Sequence, residues 1–318
     1  MIFKVLKGIL KGDIKRYISL FPIVMMLRFS RFELIRDIYA MFFCRPSTKF
    51  DDYYLDTALK DGQVKKIISD NSPLTILSQL NKNSYYVGLT LKPEVVREIQ
   101  AYANANLCFG NLSPKNGFLY QEKEIIFSII PQPFVAANYF NASIECDALK
   151  DLHLDQTILK IVAGFLGKRA IHIATNLTWS FAGDFDDHTR NYFSQKFHTD
   201  TDDWRFLKFF WYLTDVDLLS GPHLVVSGTH RGKLLSHQKS AGRYSDEIIF
   251  SSYKNCPIIS ISGKAGTGFV EDTTAYHKGQ PPEKRDRLML CIQFAMNDWN
   301  VNSDILPADQ LLRINDAV

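Results

Sequence analysis

The sequence predicts a mainly β protein with flanking α: short antiparallel strands closed as a jelly roll and wrapped by N-terminal helices. Three observations lead there. The 318 residues are 46% hydrophobic and 22% charged, the balance of a folded globular chain long enough for one large domain or two modest ones. After Gly167, aromatic and β-branched runs follow one another, punctuated by Gly, Pro, Asp and Asn, with no helical periodicity between them. Before Gly167, apolar residues recur instead at helical spacing.

Residues 1–47 form a basic helical segment. They sum to +6 in a chain whose net charge is +3. Ile2, Phe3, Val5, Leu6, Ile9 and Leu10 recur at helical spacing with lysines between them. Such a helix lies on an anionic membrane surface, or packs on its own domain or on a second subunit; both readings stay open. Tyr17 to Leu27, the longest uncharged run, is interrupted by Pro22 and is too short to span a bilayer, which takes roughly 20 apolar residues. No small-residue cleavage site follows it, so no secretory signal is expected.

Residues 48–168 read as a helical and mixed support region. Tyr85 to Leu91 is extended, and Pro93 opens a helix whose apolar face is Val95, Val96, Ile99 and Tyr102. Asp155 caps a second helix with Ile158, Ile161, Val162, Phe165 and Leu166 as its buried stripe, and Gly167 ends it.

Residues 169–318 hold the expected catalytic core, with residues 47–318 as one structural domain. The strand-like runs are Ala170–Phe181, Tyr192–His198, Arg205–Thr214, His223–Ser227, Pro257–Ser262, Gly266–Glu271 and Arg287–Ala295.

Several function classes are disfavoured. A net charge of +3 is too small for a nucleic-acid face. Five scattered cysteines without a C-x-x-C pair suggest neither a disulfide framework nor a zinc knuckle and fit a reducing cytoplasm. The expected location is the cytoplasm, with the N-terminal helix able to hold the protein at the inner face of the membrane.

The chemistry concentrates in the β region. Phe197-His198-Thr199-Asp200 is an extended H-x-D, which puts His198 and Asp200 on one side of a strand. A surface hydrogen-bonded pair would look the same. His277, in Asp272-Thr273-Thr274-Ala275-Tyr276-His277-Lys278-Gly279, supplies a third candidate ligand. Two histidines and a carboxylate leave three positions of an octahedral iron(II) open, enough to chelate an oxo acid and still bind O₂. Arg287 leads an apolar strand, where a guanidinium wants a carboxylate. Arg285 competes for that role but follows the polar turn Pro281-Pro282-Glu283-Lys284, where a solvated charge is expected.

On these residues the sequence resembles the phytanoyl-CoA dioxygenase family of iron- and 2-oxoglutarate-dependent oxygenases. Four elements match in order between Thr178 and Phe294: His198-Thr199-Asp200; Asp215 followed by Gly221-Pro222 and Val225-Val226-Ser227-Gly228-Thr229-His230; His277-Lys278-Gly279; and Arg287. Ser227 stands where many members have proline. The resemblance implies a double-stranded β-helix core, Fe(II) at His198, Asp200 and His277, and the distal carboxylate of 2-oxoglutarate at Arg287. It also implies O₂ as reactant, and hydroxylation of a C–H bond with release of succinate and CO₂. Asp200 favours hydroxylation over halogenation, because a related halogenating site needs a small residue there. An inactive β-helix scaffold subunit and a cupin-type metal enzyme are the competing readings; the complete triad speaks against the first and Arg287 against the second.

Some expectations go beyond these motifs. Alternation sets Phe206, Lys208, Phe210 and Tyr212 on one face of their strand and Leu207, Phe209, Trp211 and Leu213 on the other. If the first face lines the barrel, Lys208 pairs with 2-oxoglutarate or with an anionic substrate group. Thr199 and Phe210 are the further expected contacts of the co-substrate. His230 is expected to brace a turn rather than to support the metal, while His172, His188 and His223 fit no ligand spacing. Asp184, Asp186, Asp187, Asp202 and Asp203 read as an acid-rich solvated loop without the glycine a calcium loop needs. The fold names no substrate. Lys208 and the basic N-terminus suggest a small, anionic, lipid- or glycan-linked metabolite.

Overall fold

The computed structural model describes residues 14–43, 66–68, 72–167, 170–185, 195–239, 242–299 and 304–314. Its strands are β1 (Tyr85–Val87), β2 (Cys108–Gly110), β3 (Gly117–Phe118), β4 (Ala136–Tyr139), β5 (Ile171–Ser180), β6 (Phe206–Tyr212), β7 (His223–Val226), β8 (Ile258–Ile261), β9 (Gly268–Glu271), β10 (His277–Gly279) and β11 (Arg287–Ala295). They make an eight-stranded sheet in the order β1-β9-β6-β11-β5-β4-β2-β3 and a three-stranded sheet in the order β10-β7-β8. Every ladder is antiparallel, which gives the jelly roll.

Period-two alternation sorts the side chains into two cores. From β6 and β11, Leu207, Phe209, Trp211, Leu288, Leu290 and Ile292 join one cluster on the outer face of the large sheet. Helices cover it: α3 (Pro73–Asn83) through Ile76 and Leu80, α4 (Pro93–Ala105) through Val96 and Ile99, and α5 (Gln156–Leu166) through Ile158, Ile161 and Val162. From the opposite face, Phe210, Tyr212 and Phe269 meet Val225 and Ile261 of the small sheet, and this second cluster fills the barrel. A third, Phe197, Val226, Ile249, Tyr253 and Tyr276, lies on the outer side of the small sheet.

The caps form where the sequence places them. The Asp155 carboxylate accepts from Thr157 N (2.8 Å) and Ile158 N (3.2 Å), and Gly167 closes α5 at φ 78°. The same carboxylate also accepts from Ile67 N (2.6 Å) and Ile68 N (3.1 Å), tying a distant segment to the helix start.

Two expectations need correction. Tyr85–Leu91 forms a strand only over Tyr85–Val87. The run Tyr192–His198 yields no ladder among the described residues; Phe197 and His198 instead make isolated bridges to Tyr244 and His277. No edge of the large sheet falls at residue 168, because β1 to β4 from the support region continue the sheet built by β5, β6, β9 and β11.

The helix expected over residues 2–10 lies outside the described residues. Helix α1 (Ile14–Phe29) carries Pro22 within it and is followed by α2 (Glu33–Phe43), which docks on its own domain. Glu33 accepts from Gly232 N and Lys233 N (2.9 and 2.8 Å), Arg36 donates to His230 O (2.9 Å), and Tyr39 stacks on Trp204 at 4.7 Å. Among the described residues no helix is long and apolar enough to cross a membrane.

Candidate metal centre

His198 and His277 face each other across an antiparallel bridge in which each backbone N–H donates to the other's carbonyl at 3.0 Å. Asp200 is held by its own N–H, which donates to Thr273 O at 2.9 Å, just ahead of His277. The loop behind is fixed in turn: the buried Lys233 ammonium donates to Thr274 O at 2.6 Å.

This scaffold converges three side chains. The Nε2 atoms of His198 and His277 each lie 3.6 Å from an oxygen of Asp200, and one ligand atom from each residue lies within 4.8 Å of the others. His198 Nδ1 is 2.9 Å from Lys196 O, and His277 Nδ1 is 3.0 Å from Ala275 O. A carbonyl only accepts, so Nδ1 carries the proton in both rings and each Nε2 keeps its lone pair for the common centre. Burial, with His277 beside it, pushes His198 down to about 3, so the ring is neutral and ready to coordinate. The donor set, two imidazoles and one carboxylate, fits iron(II) in a facial triad.

Lys208 faces the barrel interior. Its ammonium pairs with Asp200 Oδ2 at 2.7 Å and with Asp202 Oδ2 at 2.8 Å. The anions it meets are therefore the protein's own carboxylates. Burial raises the Asp200 carboxyl, but the Lys208 ammonium together with His277 and His198 outweighs it and holds the group well below the usual carboxylate range. Thr199 lies half-buried between the two ligands. Phe210 is in the interior cluster, stacked on Phe269 at 4.9 Å and 5.3 Å from the His223 ring.

Arg287 heads β11, and its side chain is buried against β5 and the Gly221 turn. Its guanidinium donates to Gly221 O and to Ser180 Oγ (3.2 Å). Its Nε has no partner, and no acidic side chain pairs with it among the described residues. Arg285, two residues earlier, is exposed and ion-paired with Asp217.

The acidic loop departs from expectation. Asp186, Asp187 and His188 lie outside the described residues, but Asp202 pairs with Lys208 and Asp203 is fully buried. Asp203 accepts from Trp204 N, Met296 N, Asn297 N and Trp299 Nε1 at 2.8–2.9 Å, so these two acids are structural rather than solvated. His230 reaches Asn81 O at 3.1 Å, bracing its turn against α3.

Sequence reasoning missed Glu271. It points inward from β9 opposite Lys208 and is fully buried, with His223 Nε2 2.7 Å from its Oε2 and no partner at Oε1. The His223 ring in turn stacks on that of His277 at 5.5 Å. Burial pushes the Glu271 carboxyl up to about 8 and His223 down to about 3. Only the inward alternation of Phe269 and Glu271 on one strand could have signalled this acid.

No family model and no curated protein matches the chain. Among solved structures it is similar to EctD from S. alaskensis with 2-oxoglutarate and 5-hydroxyectoine, at TM-score 0.50 and 14% identity over 73% of this chain and 79% of that one. It is also similar to HygX from Streptomyces hygroscopicus with nickel, 2-oxoglutarate and hygromycin B, at TM-score 0.46 and 13% identity over 74% of this chain and 93% of that one. At such identities, the likeness to EctD speaks for the fold.

Proposed function

We propose that the chain is a mononuclear non-haem iron(II) oxygenase that uses 2-oxoglutarate and O₂ to hydroxylate a C–H bond of a small molecule. We place it in the phytanoyl-CoA dioxygenase family on the order of its motifs. The observation that carries the reading is Arg287, a buried guanidinium without an acidic partner among the described residues, inside the same barrel as a cluster of two histidines and a carboxylate. Leaving such a cation unpaired is unfavourable, and its planar donors match a carboxylate. A dicarboxylic oxo acid satisfies both ends, one carboxylate for Arg287 and the oxo-acid end for the metal.

His198, Asp200 and His277 would hold the iron, which, when bound with 2-oxoglutarate and O₂, supplies the oxidising power for C–H hydroxylation as succinate and CO₂ leave. The remaining work falls to the chain. The two Nδ1 bonds fix the imidazole tautomers, and Lys208 keeps Asp200 ionised and oriented. Phe210, Phe269, Val225 and Ile261 make a dry wall around the co-substrate slot. Thr199, between the two ligands, is a further contact of the co-substrate in this reading. EctD, with a similar fold, carries 2-oxoglutarate, which supports the reading.

Anaerobic addition of 2-oxoglutarate to the Fe(II)-loaded protein should raise a visible metal-to-ligand charge-transfer band. In air, succinate should then form slowly without substrate. An iron-loaded protein that gives neither is not an oxygenase of this class.

A further inference from the structure

Where Phe197 makes an isolated antiparallel bridge to Tyr244, with Tyr244 N donating to Phe197 O at 2.8 Å, the pairing sets His198 and Arg243 beside each other across the bridge. Phe197 and Tyr244 both pack in the cluster on the outer side of the small sheet. Neighbouring residues of extended backbone point to opposite sides, so at this bridge His198 and Arg243 are placed on the side away from that cluster, where His198 joins the triad. The electrostatics agree: the Arg243 guanidinium acts on both His198 and Asp200.

Arg243 is nonetheless exposed and makes no hydrogen bond or contact ion pair among the described residues. Lys264, Lys278, Arg285 and Arg313 each sit on a carboxylate. Asp200, the acid nearest in its field, is already taken by Lys208. The triad is thus flanked by two guanidiniums without acidic partners among the described residues. Arg287 is 3% exposed and closed in by Gly221 and Ser180, whereas Arg243 is exposed.

We propose that Arg243 is a substrate-recognition residue that binds an oxyanion, carboxylate or phosphate, on the molecule brought to the metal, so that the substrate is an anionic small molecule. The proposal rests on the oxygenase reading above. It gives the two cations separate partners: the buried one takes the co-substrate, and the open one takes the substrate, which must enter and leave at every turnover.

The test loads the full-length protein with Ni(II) and 2-oxoglutarate, confirms loading by calorimetry, and titrates methyl phosphate or propionate at constant ionic strength. At least one probe should bind the wild type, and about tenfold or more weaker to Arg243→Leu, as expected for losing a charge-assisted hydrogen bond. Arg243→Lys should fall between, because it keeps the charge but not the planar donors. Arg285→Leu should bind like the wild type. The tighter probe tells phosphate from carboxylate. The proposal is overturned if neither probe binds the wild type, or if Arg243→Leu binds as the wild type does. Should Arg243→Leu melt low, Arg243→Gln carries the same criterion. A wild type that fails to load removes the oxygenase reading itself, a result distinct from losing the probe at a loaded site.

Discussion

Two carboxyl groups sit inside the same barrel and titrate in opposite directions. Asp200 has the Lys208 ammonium at 2.7 Å, and its carboxyl is held far below the usual range despite burial. Glu271, opposite Lys208 on the neighbouring strand, has the His223 ring as its side-chain hydrogen-bond partner among the described residues, and burial pushes it up to about 8. Burial is shared and the Lys208 charge is felt by both; the direct ion pair is made by Asp200. One wall thereby holds an anion fit to bind a metal. The other holds a neutral acid that does not repel a dicarboxylate entering the barrel.

Replacing the anion should have the largest effect. Asp200→Ala is expected to abolish tight iron binding in calorimetry, whereas Glu271→Gln should retain it; equal loss in both would erase the distinction between the walls. Next comes Arg287→Leu, which should weaken 2-oxoglutarate binding by about 2–5 kcal/mol with little change in iron affinity, as when one partner of a buried charge pair is removed. Arg285→Leu, at an exposed turn, should change neither, and the reverse pattern would show the wrong arginine was chosen.

Lys208→Met should let the Asp200 carboxyl rise toward its ordinary value. Protons then compete with metal at higher pH, so the midpoint of acid-induced iron release moves upward. An unmoved midpoint would mean that Lys208 does not set the Asp200 charge.

The smallest effect is expected at Glu271. Its folded-state value of about 8 lies above the reference of 4.5, so its contribution to stability is fully present below pH 4.5 and is lost as pH rises through about 8. His223, lowered to about 3 from 6.5, works in the opposite sense, losing its contribution as pH falls from 6.5 through 3. The melting advantage of metal-free Glu271→Gln over wild type should therefore grow between pH 5 and about 8 and then level off. A difference that stays flat across that range would show that Glu271 is ionised throughout.

The sequence made the outer core and the local ligands easy to read, because both are written within single segments. Leu207, Phe209 and Trp211 alternate over one strand, and His198 and Asp200 stand two residues apart. What it hid depends on pairings between segments. β2 and β3 are only three and two residues long, too short for a period to show. Glu271 gains meaning only from its register with Lys208, and Arg243 only from the bridge beside Phe197. The acids Asp202 and Asp203 looked solvated because hydrophilic neighbours in sequence are not neighbours in space; one meets Lys208 and the other the Asn297 and Trp299 region.

The reciprocal backbone bond between His198 and His277 bears on the order of events in the cell. Two ligands from distant parts of the chain are aligned by a reciprocal pair of peptide hydrogen bonds that needs no metal to form. An unfolded chain offers only the H-x-D pair within local reach, and closing the intervening loop around a metal would carry an added entropic penalty. A metal that binds this site only in the folded chain would favour the folded population by mass action, and more so as its free concentration rises.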